Sequence, residues 1–396
     1  MPLSFFTKSS SNKALTLLVD IGSASIGAAY VRIEKGHTPQ IVASVREDIP
    51  FQDALSSQRF LIAMNRTLES VLGSLQATKK LHGAPVSIFC TLSSPWFILK
   101  TRNLNIERPI EFIVTEETLE GFINEDVELL KTELKETLPP QDVRIIEKKI
   151  IQMKLNGYEI KNPYKQHTTR MEMSATIAVS SDKVVKSIER KINKFFHVKE
   201  IHFGAFPVAA FNTIRDIFAT EKNFLFLDIT GEATDVSRVA SDLLVGTISF
   251  PYGKNFFIRE ISARLRTVHA EAVSLFAMYL RGELDETRRV QIESVVKFVN
   301  DKWLARFEKA ISTLAQKEAL PGKIFFTTDT DIEPLFSKLI VQAKSELLMG
   351  ASFDVQYLDQ LIVSNFVSFD AEVTRDPFIV VEALLAEKLT IQQTKK

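Results

Sequence analysis

Two stretches of this chain share one pattern, more than half the sequence apart. Leu17-Leu18-Val19-Asp20-Ile21-Gly22-Ser23-Ala24-Ser25-Ile26 reads as a buried strand closed by an aspartate, a tight turn of small residues, and a return strand. Leu225-Phe226-Leu227-Asp228-Ile229-Thr230-Gly231-Glu232-Ala233-Thr234-Asp235 has the same form. A pattern repeated at that distance predicts two related half-domains facing each other, with a ligand site between them. In each copy, the strand-end aspartate can hold Mg²⁺ and the N–H groups of the turn can hold a phosphate. The plainer alternative is that both aspartates are hairpin residues that cap neighbouring turns.

The remaining totals narrow the class. With 396 residues the chain is long enough for two or more domains, and 45% hydrophobic with 25% charged residues is ordinary globular composition. Lys plus Arg number 49 and Asp plus Glu also 49, which argues against a dedicated nucleic-acid binder. The single cysteine, Cys90, excludes an intrachain disulfide and sits in an apolar run, so it reads as a core thiol in a reducing compartment. The six histidines show no metal-ligand spacing, the pair His197 and His202 included. No apolar run reaches the roughly 18–20 residues of a membrane span, and the opening Met1-Pro2-Leu3-Ser4-Phe5-Phe6 is too short for a signal peptide.

Residues 1–13 read as a mobile lead-in whose Leu3, Phe5 and Phe6 are the one candidate membrane-contact patch. A three-strand meander follows over 15–48, then an amphipathic helix over 58–75, a break at Gly83-Ala84-Pro85, and a buried strand over 86–92. Between 95 and 197 the pattern changes to an α+β module. It has a helix over 116–136 with Thr115 as N-cap, strands on both sides of the Asn156-Gly157 turn, a strand over 171–179, and a helix to Phe196 capped at Ser181-Asp182. It carries no acid pair, nucleophile set or metal ligands, so its expected task is contact. A helix over 203–219 leads into the second meander. Helices over 254–281 and 290–314, a strand over 323–327, a helix over 332–348 and a last helix over 377–388 complete the reading. The 29 phenylalanines read mainly as core, with Phe195-Phe196 and Phe256-Phe257 as contact candidates.

In this order the motifs resemble those of the actin-like ATPase superfamily, and within it the FtsA family of bacterial cell-division proteins, with the PilM family of type IV pilus assembly as close neighbour. Asp20 to Ser25 matches the first phosphate loop, Asp-Ile-Gly-Ser-x-Ser. Asp228 to Asp235 partly matches the second, Asp-Ile-Gly-Gly-Gly-Thr-Thr-Asp. Pro207-Val208-Ala209 matches the Pro-x-Ala helix signature. The run 156–163 followed by Arg170-Met171-Glu172-Met173 looks like the pattern of the extra domain inserted in FtsA. The resemblance spans about 15–390. It implies an α/β fold of duplicated actin-like (ribonuclease H-like) domains with an inserted α+β module. By that plan 14–94 is the first half, with 365–390 packing back on it, and 95–197 is an SHS2-like interaction module. Residues 198–364 are the second half, with a helical subdomain at about 254–320, and 391–396 are a tail.

The same resemblance implies ATP and Mg²⁺ as cofactors, with Asp20 and Asp228 toward the metal. Gly22, Ser23 and Ser25 would wrap the phosphates from one side, Gly231 and Thr234 from the other, and Thr327 and Thr328 fall in the adenosine motif. The sequence also departs from the superfamily. Thr230 and Glu232 replace two glycines of the second loop, and a carboxylate there repels a triphosphate unless it points to solvent or metal. Phe326-Thr327-Thr328-Asp329-Thr330-Asp331 lacks both glycines of the adenosine motif. Phe206 stands where polymerising members place the acid that orients the attacking water. Efficient hydrolysis is therefore not expected, and no catalytic residue is assigned. The expected function is an FtsA-like scaffold linking cytoplasmic partners to the inner membrane in cell division. The partner is a division protein or the cytoplasmic tail of a membrane protein, bound through 95–197, with self-association a further expectation. Glu382 and Glu387 interrupt the last helix and no separate amphipathic membrane helix is visible, which moves weight to a PilM-like role. The rival class is an active actin-fold ATPase, a kinase or chaperone. What separates the classes is whether the 327–331 turn leaves a cavity or is filled by Asp329 and Asp331.

Overall fold

The computed structural model describes residues 15–78, 85–198, 200–315, 318–343, 352–359 and 365–393. The lead-in at 1–13, Gly83-Ala84, residues 344–348 and the last three residues of the tail lie outside them. The fold is actin-like: mixed α/β, with two sheets built on one plan and a third sheet inserted.

The first sheet starts from the meander β1 (Leu15–Ile21), β2 (Ser25–Arg32) and β3 (Gln40–Asp48). The helix α1 (Ser57–Ala77) follows, and β4 (Ser87–Leu92) then runs parallel to β1. The inserted unit comprises β5 (Ile98–Ile113), α2 (Glu116–Glu133), β6 (Val143–Leu155), β7 (Tyr158–Glu159), β8 (His167–Ser181) and α3 (Asp182–Phe195). Its sheet is antiparallel in the order β5-β8-β6-β7. The chain returns to the first sheet as β9 (Ile201–Ala205), parallel to β4. The helix expected from Phe203 thus begins later, as α4 (Phe206–Ile217), with Pro207 in its first turn where the missing N–H is harmless. Residues 201–205 belong to the first sheet, not to the second half.

The second sheet repeats the plan. Its meander is β10 (Phe224–Ile229), β11 (Thr234–Ala240) and β12 (Leu243–Phe250). The helices α5 (Lys254–Leu265), α6 (His269–Arg281) and α7 (Glu286–Ala315) come next, then β13 (Lys323–Thr327), α8 (Glu333–Val341) and β14 (Asp354–Tyr357). The short β15 (Ser368–Phe369) pairs with β3 in the first sheet, and α9 (Pro377–Gln393) closes the described chain. The helix expected over 254–281 is two helices, because Arg266 takes a left-handed conformation at φ 54° and stops α5. Both meanders carry a register shift at the same place, Tyr30/Val31 and Arg238/Val239, so the repeat extends to irregularities that the sequence pattern does not show.

Alternation explains the layers. Leu17, Val19 and Ile21 of β1 enter one core with α1 and α4, while Leu18 enters another with Ile379, Val380 and Ala383 of α9. In β10, Leu225, Leu227 and Ile229 pack toward α7, and Phe224 and Phe226 join the core of the first half. The two sheets are therefore welded through α4. In the inserted unit, α2 opens with a capping box between Thr115 and Thr118 and lays Leu119, Ile123, Val127 and Leu130 on Met171, Met173 and Ile177. The expected Ser181 cap takes another form. The Ser181 hydroxyl donates to Asp142 at 2.6 Å, and the other oxygen of Asp142 accepts the Lys183 N–H at the start of α3. Cys90 is fully buried, and burial pushes its thiol well above the ordinary range.

Candidate functional site

The β1–β2 and β10–β11 turns face each other and touch. The Ser23 hydroxyl lies 2.7 Å from that of Thr230, and the Glu232 N–H donates to Ser23 Oγ at 2.9 Å. A Cβ on Gly231 would come within 2.9 Å of Ala24, so only glycine permits this approach. Two further turn N–H groups are engaged: Gly22 N–H donates to the Ser25 carbonyl and Thr230 N–H to that of Ala233. The Gly22 carbonyl accepts from Trp96 Nε1 at 2.8 Å.

Asp20 and Asp228 end their central strands as expected, at 2% and 0% exposure. Asp20 is ion-paired with Arg46 at 2.6 Å, and Arg46 also donates to Asp376 and to Ser25 Oγ. Burial raises the Asp20 pKa, and the Arg46 guanidinium opposes that shift. Asp228 accepts from Thr327 Oγ1 at 2.8 Å, while its Oδ2 is buried with no partner among the described residues. Burial, and next the charge of Asp235, push Asp228 well above the carboxylate range. Asp235 accepts from Ser94 and Ser249, a further bridge between the halves. The pseudo-symmetry extends to the neighbours: Thr91 sits beside Asp20, and Thr327 beside Asp228, on the adjacent parallel strand.

Thr234 lies away from the turn contact. Its hydroxyl donates to the Tyr252 carbonyl at 2.7 Å and accepts from Trp303 Nε1 at 3.0 Å, inside the second core. Thr328 is buried, and its carbonyl accepts the Tyr357 hydroxyl. The 327–331 turn is pinned, because Lys254 at the start of α5 pairs with both Asp329 and Asp331. Burial works against the Lys254 charge, but the two aspartates outweigh it and the pKa rises. Glu232 points neither to solvent nor to the cleft. It is buried against Arg259 and accepts from Asn255 at 2.7 Å, so an internal cation neutralises it. Phe206 is fully buried and its ring packs between Phe226 and Phe378.

The residues do not fit a magnesium nucleotide in this arrangement. Arg46 already takes the charge of Asp20, the phosphate turns bond each other, and Asp329 and Asp331 are drawn onto Lys254. Among the described residues, no group of three or more His, Cys, Asp or Glu side chains is placed to hold a metal ion. Several residues that govern the site are not assigned to it by the sequence: Arg46, Arg259, Ser94, Asp376 and Glu382. Glu382, expected as an interruption in an apolar helix face, is buried with both carboxylate oxygens unpartnered among the described residues. The placement of Arg46 follows from strand register. Gly27 stands between it and Asp20 in the register of three adjacent strands.

No protein-family model matches the chain, and no curated protein matches it. Among solved structures it is similar to a chain of the PilM-PilN type IV pilus biogenesis complex, with a TM-score of 0.64 at 14% identity, over 96% of this chain and 99% of that one. It also matches a protein of actin-like ATPase fold and unknown function from Bacteroides thetaiotaomicron VPI-5482, with a TM-score of 0.45 at 11% identity, over 96% of this chain and 99% of that one. The ethanolamine utilization protein EutJ from Carboxydothermus hydrogenoformans gives a TM-score of 0.44 at 12% identity, over 95% of this chain and 92% of that one.

Proposed function

We propose that this chain is an actin-like scaffold without efficient ATPase activity, which joins a protein partner to a membrane-associated assembly. The observation that carries the reading is the direct contact of Ser23 with Thr230 and with the Glu232 N–H, where a phosphate would sit in an ATPase of this fold. The ring of Phe206 at the water-orienting position supports it. The partner surface is the inserted unit, whose groove between α2 and the β6–β7 edge is lined by Leu119, Ile150, Met153, Ile160 and Tyr164. Two forms of the role are proposed: an FtsA-like scaffold of cell division, and a PilM-like component of type IV pilus assembly. The motif pattern of the inserted unit supports the first, and the whole-chain likeness to the PilM chain supports the second. The proposed location is the cytoplasm, peripheral at the inner membrane. No helix among the described residues is long and apolar enough to cross a membrane.

Calorimetric titration with ATP, with and without Mg²⁺, tests the closed cleft. The expected result is no binding at millimolar nucleotide; tight binding with steady phosphate release would make the chain an ATPase. Fluorescence anisotropy with two synthetic peptides tests the partner. One is the tail of the tubulin-like division protein, the other the cytoplasmic tail of a pilus-assembly membrane protein. Binding to one selects the form of the role, and binding to neither overturns the partner class.

A further inference from the structure

A row of three residues crosses the first meander. Asp20 on β1 pairs with Gly27 on β2, and Gly27 pairs with Arg46 on β3. Facing residues of one row point to one side of a sheet, and the middle one normally separates the outer two. Here the middle one is glycine. A Cβ on it would lie 2.5 Å from Arg46 Nη2 and 2.9 Å from Cζ, so the absent side chain is what lets the guanidinium lie across β2. It reaches Asp20 through Nη2 at 2.6 Å, Ser25 through Nη1 at 2.9 Å and Asp376 through Nε at 2.7 Å. Its flat face lies 5.1 Å from the Phe378 ring centroid.

Asp376 in turn accepts the N–H groups of Phe378 and Ile379 at the start of α9. The guanidinium therefore ties the strand-end aspartate of the cleft to the N-terminus of the last helix. The charge around it is lopsided. Asp20, Asp376 and Glu382 are each more than nine-tenths buried, and Arg46 acts on all three. Asp20 Oδ1 and both Glu382 oxygens have no hydrogen-bond partner among the described residues.

We propose that Arg46 is the built-in cation of this cleft. It compensates Asp20 and Asp376 where a cation from solution would otherwise do so, and its removal leaves these two carboxylates to draw a divalent cation. The reason is electrostatic. A buried carboxylate without a cation is costly, and the space between Asp20 and Asp376 is filled by a guanidinium that carries its charge on the protein. With a neutral side chain there, the cheapest compensation is a cation from solution. This deepens the closed-cleft reading above and rests on it for the premise that no nucleotide-bound ion competes for Asp20.

Electron paramagnetic resonance of added Mn²⁺ tests it on the full chain. Wild type is expected to show no Asp20-dependent site at millimolar Mn²⁺. Arg46→Gln is expected to bind about tenfold or more tightly than wild type, and Asp20→Asn in that background is expected to remove the gain. Gly27→Ala, whose methyl pushes the guanidinium off Asp20 while keeping every charge, is expected to give a smaller gain of the same kind. It serves where Arg46→Gln does not fold. A second measurement needs no variant: the Arg46 Nε–H resonance of wild type is expected to stay put on addition of Mg²⁺. Asp20-dependent Mn²⁺ binding by wild type, a gain that survives Asp20→Asn, or a shift of that resonance overturns the proposal. ATP binding by wild type without any metal would overturn the closed cleft and leave the role of Arg46 standing.

Discussion

The side-chain hydroxyls of Ser23 and Thr230 lie 2.7 Å apart, although 207 positions separate them in the chain. Each sits on the turn that leaves a central strand, so one hydrogen bond joins the two halves where their repeated motifs meet. Ser23 also accepts the Glu232 N–H, and the Thr230 hydroxyl also donates to the Ala233 carbonyl at 2.9 Å.

Ser23→Ala leaves the Glu232 N–H without its acceptor in a buried position. The expected loss is about 1–3 kcal/mol, read as a shift of the urea midpoint at unchanged slope. Thr230→Ala removes the same inter-turn bond and the Thr230 hydroxyl's bond to the Ala233 carbonyl, so the two substitutions share one interaction. In a double-mutant cycle the two substitutions are therefore expected to be sub-additive by roughly 1 kcal/mol. Full additivity would mean that the turns do not touch in solution.

Arg259 determines how Glu232 is tolerated. The Glu232 side chain is 5% exposed, and Arg259 and Asn255 supply its donors. Arg259→Ala strands a buried carboxylate, with an expected loss of about 3–5 kcal/mol. Adding Glu232→Gln is expected to recover part of it, because a neutral amide costs less to bury than a charge. Denaturant unfolding of the two variants checks the order; equal stability would show that the pair carries no net charge burden.

The repeated hairpins were legible because a strand buried on both faces leaves an unbroken apolar run, and an Asp before small residues marks its end. From those runs the duplicated plan could be read, and the actin-like fold followed from the resemblance of the motifs in their order. The chemistry of the cleft could not, because it depends on side chains that reach across strands. Nothing local in 40–48 distinguishes Arg46 from a surface arginine; its role appears only when β3 is aligned on β2 and Gly27 falls opposite. Glu232 looked like an obstacle to phosphate because its partner Arg259 lies on α5, a helix whose packing the sequence does not specify. The strand at 201–205 was missed for a similar reason. Ile201 and Phe203 alternate over too short a run to outweigh the helix signal of 206–217, and only pairing with β4 decides.

The acid limb of stability reports on a second bridge between the halves. His269 on α6 stacks flat on Phe51, with centroids 3.5 Å apart, and its Nδ1 is buried without a partner among the described residues. Burial holds its pKa below the ordinary 6.5; Asp53 opposes that shift and Arg259 adds to it. A depressed folded pKa means that protons favour the unfolded state. The contribution is therefore complete above the unfolded pKa and is lost as pH falls from there through the folded value. His269→Phe keeps a ring on Phe51 and removes the titration. Melting temperature against pH is expected to be flatter for this variant than for wild type between about pH 7 and 5. Parallel curves would mean that His269 takes up its proton as easily in the fold as out of it.

Phe206 sets its packing role against the catalytic position that the motif resemblance implies. Its ring is fully buried, 6.5 Å from Phe226 and 5.5 Å from Phe378 between centroids, so it joins α4 to the strand β10 and to α9. Truncation to alanine opens a cavity at the weld between the halves, at an expected cost of about 3–5 kcal/mol. Phe206→Glu introduces the acid that the motif resemblance would place there, yet it buries a carboxylate among rings while the turns opposite stay bonded to each other. Phosphate release from Mg-ATP is therefore expected to stay at background for both variants, while both lose stability in denaturant. Turnover appearing in Phe206→Glu would show that the cleft admits nucleotide and lacks only the acid, and the scaffold reading would give way to that of an ATPase silenced at one position.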